Sequence, residues 1–215
     1  MIGFIPLGLV LGAQAREKGF NALEVPLLTG LNFAGGSEFA AINLWTSPPH
    51  LLLLMGVTLL INSRHVLMSA TLTSFLKNIP RFKILLALAF MCDETWALAL
   101  GDARARKKEG LCPSFSLPYY VGVATGLYLA WVGFAVLGTV LGPVVGDLTR
   151  YGFDMAFPAV FLVLLRGMWS GPRKAAPWVV SGVVGAMVYL ALPGAWYVPA
   201  GAVSGIIAAW WTTRT

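Results

Sequence analysis

The sequence predicts an all-α polytopic membrane protein with about seven or eight transmembrane or half-spanning helices. Two features of composition lead to this fold class. Apolar residues make up 58% of the 215-residue chain and charged residues only 11%, whereas about a quarter of a typical soluble domain is charged. The apolar residues are also concentrated in long segments, which lack the alternating pattern that barrel strands need. We therefore expect helices in a lipid bilayer.

Eight apolar segments succeed one another along the chain. They comprise residues 2–15, 25–45, 51–76, 84–100, 117–141, 153–169, 176–192 and 196–211. We predict that together they form one integral membrane permease domain over residues 1–215. The first segment is too short to cross about 30 Å of hydrocarbon at 1.5 Å per residue. Either it is a half-helix, or residues upstream of it are lacking.

Small residues four positions apart recur within these segments. The pairs are Gly8/Gly12, Gly122/Gly126, Gly138/Gly142 and Gly201/Gly205. This spacing lets transmembrane helices approach each other closely. We therefore expect these glycines at contacts between helices.

The basic residues, which give the chain a formal net charge of +6, lie in short stretches between the apolar segments. This arrangement is typical of cytoplasmic loops in membrane proteins. It lacks the continuous basic face of a nucleic-acid-binding protein, so we expect no nucleic-acid partner. The strongest cluster lies at residues 104–108, and it predicts that the loop 101–118 faces the cytoplasm.

Segment 84–100 decides the topology. Basic residues at 77–83 precede it and the cluster at 104–108 follows it, so a full crossing would place the two on opposite sides of the membrane, against the usual bias. Asp93 and Glu94 near its middle also argue against a lipid-facing span. We predict a broken or re-entrant segment, with an ordinary crossing as the alternative.

A broken fourth segment would let the two halves of the chain, residues 1–100 and 117–215, enter the membrane from opposite sides. Each half carries an acidic residue within an apolar segment, Glu38 or Asp154. Inverted halves whose broken helices meet at the midplane are a recurring transporter design. The sequence thus permits an inverted repeat.

The first polar cluster within an apolar segment comprises Gly35, Gly36, Ser37 and Glu38. Paired glycines weaken a helix and let a ligand approach the backbone, although they could also merely relieve crowding. A carboxyl group at this depth needs a partner. We predict that these four residues contribute to a substrate-binding site.

The second cluster contains Asn62, Arg64 and His65. Arginine keeps its proton, so Arg64 needs an anion, water or a carboxylate nearby. It could pair structurally with an acidic side chain, with Asp93, Glu94 or Glu38 as candidates, or its planar fork could bind a substrate carboxylate. His65 is either a hydrogen-bonded structural residue or a proton carrier. We assign Asn62 and Arg64 to substrate binding and His65 to proton coupling.

The third cluster is built on Asp93 and Glu94. Adjacent carboxylates in an apolar segment repel each other, so one of them should retain a proton. That chemistry suits proton coupling or the binding of an ammonium group, whereas in an interfacial segment both would simply be solvated. The two cysteines, Cys92 and Cys112, have neither disulfide-framework density nor metal-ligand spacing. We expect no catalytic residue, metal or cofactor.

A buried cation beside several buried carboxylates suits a zwitterion such as an amino acid. The carboxylate of the substrate would bind Arg64 or helix N-termini, and its ammonium group would bind Glu38, Asp93 or Glu94. An apolar lining would accept an aliphatic side chain, but every membrane protein offers such a lining. Composition alone therefore leaves the substrate open.

At these clusters the sequence resembles the AzlC-type (LIV-E) branched-chain amino acid permeases. The resemblance is carried by residues 33–39, 62–69 and 93–96, in that order. Family members commonly have Gln where this chain has Glu38. The resemblance implies a multi-pass exporter of valine, leucine or isoleucine in the bacterial inner membrane, and the buried carboxylates fit a mechanism driven by an ion gradient. It also implies a small membrane partner of the AzlD type.

Two other classes of function remain open at this point. The chain could be a channel or a structural membrane subunit, which would conduct without saturation or not at all. It could also be an intramembrane serine protease, because Ser37 and His65 lie on neighbouring segments. Such proteases require glycine after the serine, and Glu38 occupies that position.

Overall fold

The computed structural model describes residues 4–77, 79–145, 155, 162, 166, 169, 171–193 and 196–212. These residues form helices, turns and connecting segments, and none of them lies in a strand. The α-helices are α1 (Phe4–Glu17), α2 (Glu24–Asn32), α3 (Gly35–Asn43), α4 (Leu51–Asn62), α5 (Arg64–Leu72), α6 (Arg81–Ala89), α7 (Asp93–Lys108), α8 (Leu117–Val145), α9 (Pro172–Ala191) and α10 (Tyr197–Thr212). A short 3-10 helix, η1 (Thr73–Phe75), follows α5. The predicted all-helical class is confirmed. Segment 153–169 and Asp154 lie outside the described residues, apart from the isolated positions given above.

Three of the predicted apolar segments are broken, each at one of the polar clusters. Between α2 and α3 the backbone of Phe33 is left-handed, with φ of 44°. Between α4 and α5 the break is the single turn residue Ser63. Between α6 and α7 it includes Cys92, whose backbone is extended. The last break confirms that segment 84–100 is not one continuous helix, and it makes Asp93 the first residue of α7.

The predicted start of the loop at residue 101 is wrong, because α7 continues to Lys108. Gly101 lies inside the helix, and the Ala, Arg and Lys residues after it favour helix formation. Basic side chains in the last turn of α7 also stabilise its negative dipole end. The connection to α8 therefore begins at Glu109, and the basic cluster is helical.

Two stretches within the described residues are long and apolar enough to cross a membrane. They are Leu51–Phe75, with 25 residues, and Leu117–Gly142, with 26 residues. A shorter apolar helix covers Ala175–Ala191. Large aliphatic side chains such as Leu31, Leu52 and Leu190 are almost fully exposed. Such side chains are unfavourable in water and favourable against lipid tails, as the predicted membrane fold requires.

Helices α1 and α8 pack closely through glycines, as the small-residue spacing predicts. A methyl group added at Gly12 would lie 2.7 Å from the backbone N of Thr139, and one added at Gly138 would lie 2.7 Å from the Cα of Leu9. The pair Gly201/Gly205 likewise faces Ser181 of α9. At Gly122 the prediction is not met within the described structure, where no atom lies within 4 Å of an added methyl group.

Helix α8 also donates three hydrogen bonds to helices that flank the breaks. The hydroxyl of Tyr120 donates to the carbonyl of Ala87 in α6 over 2.8 Å, and the hydroxyl of Tyr128 donates to the carbonyl of Gly30 in α2 over 3.2 Å. The indole N–H of Trp131 donates to Glu38 in α3. At 3.6 residues per turn these three donors occupy one face of α8, so a single helix face holds α2, α3 and α6.

We expect Gly138→Ala to destabilise the protein by about 1–3 kcal/mol, because the new methyl group would press on the backbone of α1 and separate the helices. Gly133→Ala makes the same change in the same helix, where an added methyl group meets no atom of the described residues within 4 Å, so it should be neutral or slightly stabilising. Thermal unfolding of both variants in detergent measures the difference. Equal unfolding temperatures would contradict the close α1–α8 contact.

Candidate functional site

The three helix breaks converge on a central cavity, which is also lined by α1 and α8. Its polar lining comes from the backbone at Gly35 and Gly36 and from the side chains of the second and third clusters, namely Arg64, His65, Asp93 and Glu94. Its apolar lining comes from Phe4, Leu7, Phe33, Phe39 and Trp131, together with Ala34 and Cys92. The cavity volume is about 50 Å³, room for roughly three or four water molecules. An amino acid the size of leucine would require its walls to separate.

Arg64 and Asp93 form an ion pair across the cavity, with Nη2 and Oδ2 2.9 Å apart. They are the first residues of α5 and α7, so the pair ties these two helices together at their starts. The structural pairing foreseen for Arg64 is therefore present. The side chains remain 29% and 22% exposed, and pairs with that access to solvent contribute little net stability. The ion pair can thus exchange with a competing carboxylate at low cost.

The guanidinium of Arg64 has donors to spare. Its Nε has no acceptor within the described part of the chain, although a guanidinium carries five N–H donors. Glu94 lines the same cavity and forms no ion pair with any described residue. The Nδ1 atom of His65 lies 3.1 Å from the carbonyl oxygen of Asn62. The cavity therefore contains one partly engaged cation, a second carboxyl group and an imidazole.

Helix termini add to the electrostatics of the cavity. Helix α3 begins at Gly35 and α7 at Asp93. The side chains of their N-cap residues, Ala34 and Cys92, make no hydrogen bond to the first backbone amides of these helices. The first amides of a helix lack acceptors within the helix, and the N-terminus carries the positive end of the helix dipole. The two termini favour anions in the cavity, and Asp93 and Glu94 in the first turn of α7 satisfy part of that preference.

Three of the predicted site residues do not line the cavity but lie directly behind it. Ser37 is fully buried, and its hydroxyl donates to the carbonyl of Ala34 over 2.9 Å. The same hydroxyl accepts from Asn32 over 2.8 Å, and Asn32 in turn accepts from the amide of Asn62 over 3.1 Å. Ser37 and Asn62 thus join α4 to the break between α2 and α3.

Glu38 is fully buried as well, and both of its oxygens are engaged. Oε1 accepts from the backbone N–H of Ala34 over 2.9 Å, and Oε2 accepts from the indole of Trp131 over 2.7 Å. The partner that a deep carboxyl group needs is therefore found within the protein. Glu38 fixes the break before α3 against α8.

The protease hypothesis finds no support in this geometry. Ser37 is hydrogen-bonded to Asn32 and Ala34, and the hydrogen bond of His65 is to Asn62. A nucleophile and its base must share a hydrogen bond, and these two residues share none in the described structure.

Sequence reasoning missed Trp131, which lines the cavity from the middle of an uninterrupted apolar segment. Tryptophans of membrane proteins usually lie near the ends of apolar segments, where the indole anchors a helix at the interface. A buried indole in mid-segment needs an acceptor for its N–H, and a buried carboxyl group such as that of Glu38 needs a donor. These two unmet requirements could have paired Trp131 with Glu38 from the sequence.

The chain is similar in sequence to known membrane proteins. Residues 1–145 match the family model described as AzlC protein. An uncharacterized membrane protein of Archaeoglobus fulgidus is 30% identical over 191 residues, covering 88% of this chain and 79% of the relative. The branched-chain amino acid transport protein AzlC of Bacillus subtilis is 26% identical over 173 residues, covering 80% and 65%. The inner membrane protein YgaZ of Escherichia coli is 24% identical over 215 residues, covering 96% and 82%. No solved structure matches the chain.

Proposed function

This chain belongs to the AzlC protein family, and from that premise we propose that it is a secondary transporter that exports branched-chain amino acids across the bacterial inner membrane. It would work together with a small membrane subunit of the AzlD type. A relative bears the name of a branched-chain amino acid transport protein, which supports the substrate class. The export direction and the partner are part of the proposal.

The observation that carries this proposal is the polarity of the central cavity. Its lining combines the charged residues Arg64, Asp93 and Glu94 with the aromatic residues Phe39 and Trp131. A branched-chain amino acid likewise combines a zwitterionic head with an aliphatic side chain. Binding sites of this kind, at the midplane where broken helices meet, recur in transporters.

The ion pair supports a specific order of contacts. The substrate carboxylate would compete with Asp93 for Arg64 and would also receive amides at the start of α3. Asp93, once released, would join Glu94 in holding the substrate ammonium group. Each charge of the substrate thus finds an opposite charge on the protein, which limits the free-energy cost of binding a zwitterion inside the membrane.

The carboxyl groups also provide a route for coupling transport to protons. Two neighbouring carboxylates in a small cavity cannot both ionise cheaply, so removal of the substrate ammonium would favour uptake of a proton. Glu94 is the better candidate, because Asp93 already has a cation as its partner. His65 lines the same cavity, and its imidazole is the second candidate for carrying the proton.

Uptake into inside-out vesicles tests the proposal, because export from the cell then appears as accumulation inside the vesicle. Labelled leucine, valine and methionine should accumulate saturably when the chain is co-expressed with its small partner, and they should exchange with unlabelled substrate. Vesicles without the chain provide the control. Flux that rises linearly with concentration and shows no exchange would identify a channel instead, and absence of flux would indicate a structural subunit.

The proposed orientation places the end of α7 and the following connection in the cytoplasm. Cys112 is exposed in that connection whereas Cys92 is buried, so the chain carries its own reporter. A membrane-impermeant maleimide should label Cys112 in inside-out vesicles but not in intact cells. Cys112→Ser should abolish the labelling and so identify the site. Ready labelling in intact cells would invert the topology.

A further inference from the structure

Trp131 occupies a fixed position in the wall of the central cavity. It is buried in the middle of α8, and its ring meets the edge of Phe4 at a centroid distance of 5.4 Å. A methyl group added at Gly35 would lie 3.1 Å from Cη2 and Cζ2 of the indole. The indole therefore lies directly against the start of α3, and a side chain at position 35 would have to displace it by a few tenths of an ångström.

The orientation of the indole is fixed by Glu38. The hydrogen bond between Nε1 and Oε2 is 2.7 Å long, and the other carboxyl oxygen accepts from the backbone of Ala34. A fully buried side chain with both oxygens engaged is not placed to contact a substrate. It is placed to prevent the indole from rotating.

We propose that Trp131 determines which side chains the transporter accepts, and that Glu38 is a positioning residue that acts through Trp131. The inference rests on the proposed function and adds its specificity determinant. Arg64, Asp93 and Glu94 would hold the zwitterionic head, which all amino acids share, so discrimination falls to the apolar part of the lining. A rigid indole there limits the length and width of the aliphatic side chain.

The position of Glu38 also explains why a carboxyl group is useful at a site that does not bind the substrate. Two N–H groups, one from Ala34 and one from Trp131, converge on it. A carboxyl group can accept from both, whereas an amide offers one oxygen and an NH₂ group that can only donate. Gln at position 38 in the same conformation can therefore keep only one of the two hydrogen bonds, either the one from the indole of Trp131 or the one from the backbone N–H of Ala34.

The test compares labelled phenylalanine and leucine in the vesicle assay, as the ratio of their transport efficiencies. Trp131→Phe removes part of the wall and the indole N–H, so the ratio of phenylalanine to leucine should rise about tenfold, the usual effect of one or two methylene groups of pocket space. Gly35→Ala adds a methyl group to the same wall and should therefore lower the ratio of phenylalanine to leucine. A ratio that stays constant in both variants would overturn the inference.

Variants of Glu38 separate positioning from a merely structural role. Glu38→Ala should also raise the ratio of phenylalanine to leucine, as Trp131→Phe does, because the indole is released. Glu38→Gln should leave the ratio within about threefold of the starting value, because one acceptor suffices to retain the ring. The double variant Glu38→Ala/Trp131→Phe should match Trp131→Phe alone, since residues that act as a unit are non-additive. Additive changes would show that Glu38 acts independently of Trp131.

The matched control is Trp45→Phe. Trp45 packs on Phe20 with ring centroids 4.6 Å apart and does not line the cavity, so its replacement should leave the ratio unchanged. Loss of folded protein lowers transport of both amino acids alike and does not move the ratio. If the starting protein transports no amino acid, the proposed function fails. If it transports them and the ratio is insensitive to position 131, only the present inference fails.

Discussion

Replacement of Arg64 by alanine should reduce leucine transport about 100-fold or more, because the substrate carboxylate would lose charge-assisted hydrogen bonds that contribute about 1.5–3 kcal/mol each. The substrate carboxylate would lose its cation, and Asp93 would lose its partner at 2.9 Å. Initial rates of uptake into inside-out vesicles, normalised to the amount of protein in the membrane, measure the effect.

Arg64→Lys distinguishes a need for charge from a need for geometry. Lysine restores the charge but not the planar fork that can bind a substrate carboxylate through two parallel N–H donors. We therefore expect it to recover little activity. Arg81→Lys, at an exposed position at the start of α6, is the matched control and should be near normal. Near-normal transport by Arg64→Lys would show that a point charge is sufficient.

Glu94→Gln should abolish accumulation of leucine against a gradient while leaving exchange of internal for external leucine largely intact. The amide keeps the shape of the side chain but cannot bind and release a proton, so the pH dependence of transport should flatten in the same variant. Uptake driven by an imposed pH gradient, measured beside exchange at equal pH, separates the two activities.

Asp93→Asn provides the contrast, because Asp93 is the ionic partner of Arg64 whereas Glu94 forms no ion pair within the described structure. We expect loss of both exchange and accumulation in Asp93→Asn, since the charge balance of the binding site is disturbed. If Glu94→Gln accumulates leucine normally with unchanged pH dependence, proton coupling resides elsewhere, and His65 becomes the next residue to test.

Much of the fold could be predicted from the sequence, because bilayer-spanning helices have a strong compositional signal. The positions of the breaks were also accessible, since Gly35-Gly36 and Asp93-Glu94 are chemically out of place inside apolar segments. The extent of α7 was not foreseen. A cluster of charges was interpreted as a loop, yet Ala, Arg and Lys are good helix formers and continue the helix to Lys108.

The candidate site was predictable in its residues but not in its pairings. Arg64 had several acidic partners available in the sequence, and only the three-dimensional arrangement of the helix starts selects Asp93. Glu38 was expected to need a partner, but its donor on Trp131 lies 93 positions away along the chain. The local sequence pattern identifies a polar residue that is costly to bury, whereas the tertiary fold decides which residue provides its hydrogen bond or opposite charge.

The three donors on one face of α8 have a mechanical consequence. Tyr120 and Tyr128 hold the carbonyls of Ala87 and Gly30, close to the ends of α6 and α2, and Trp131 holds the first turn of α3 through Glu38. A rotation of α8 about its own axis would displace all three attachments in the same sense. The α2–α3 break and the α6–α7 break then cannot rearrange independently, because rotation of α8 couples their movements.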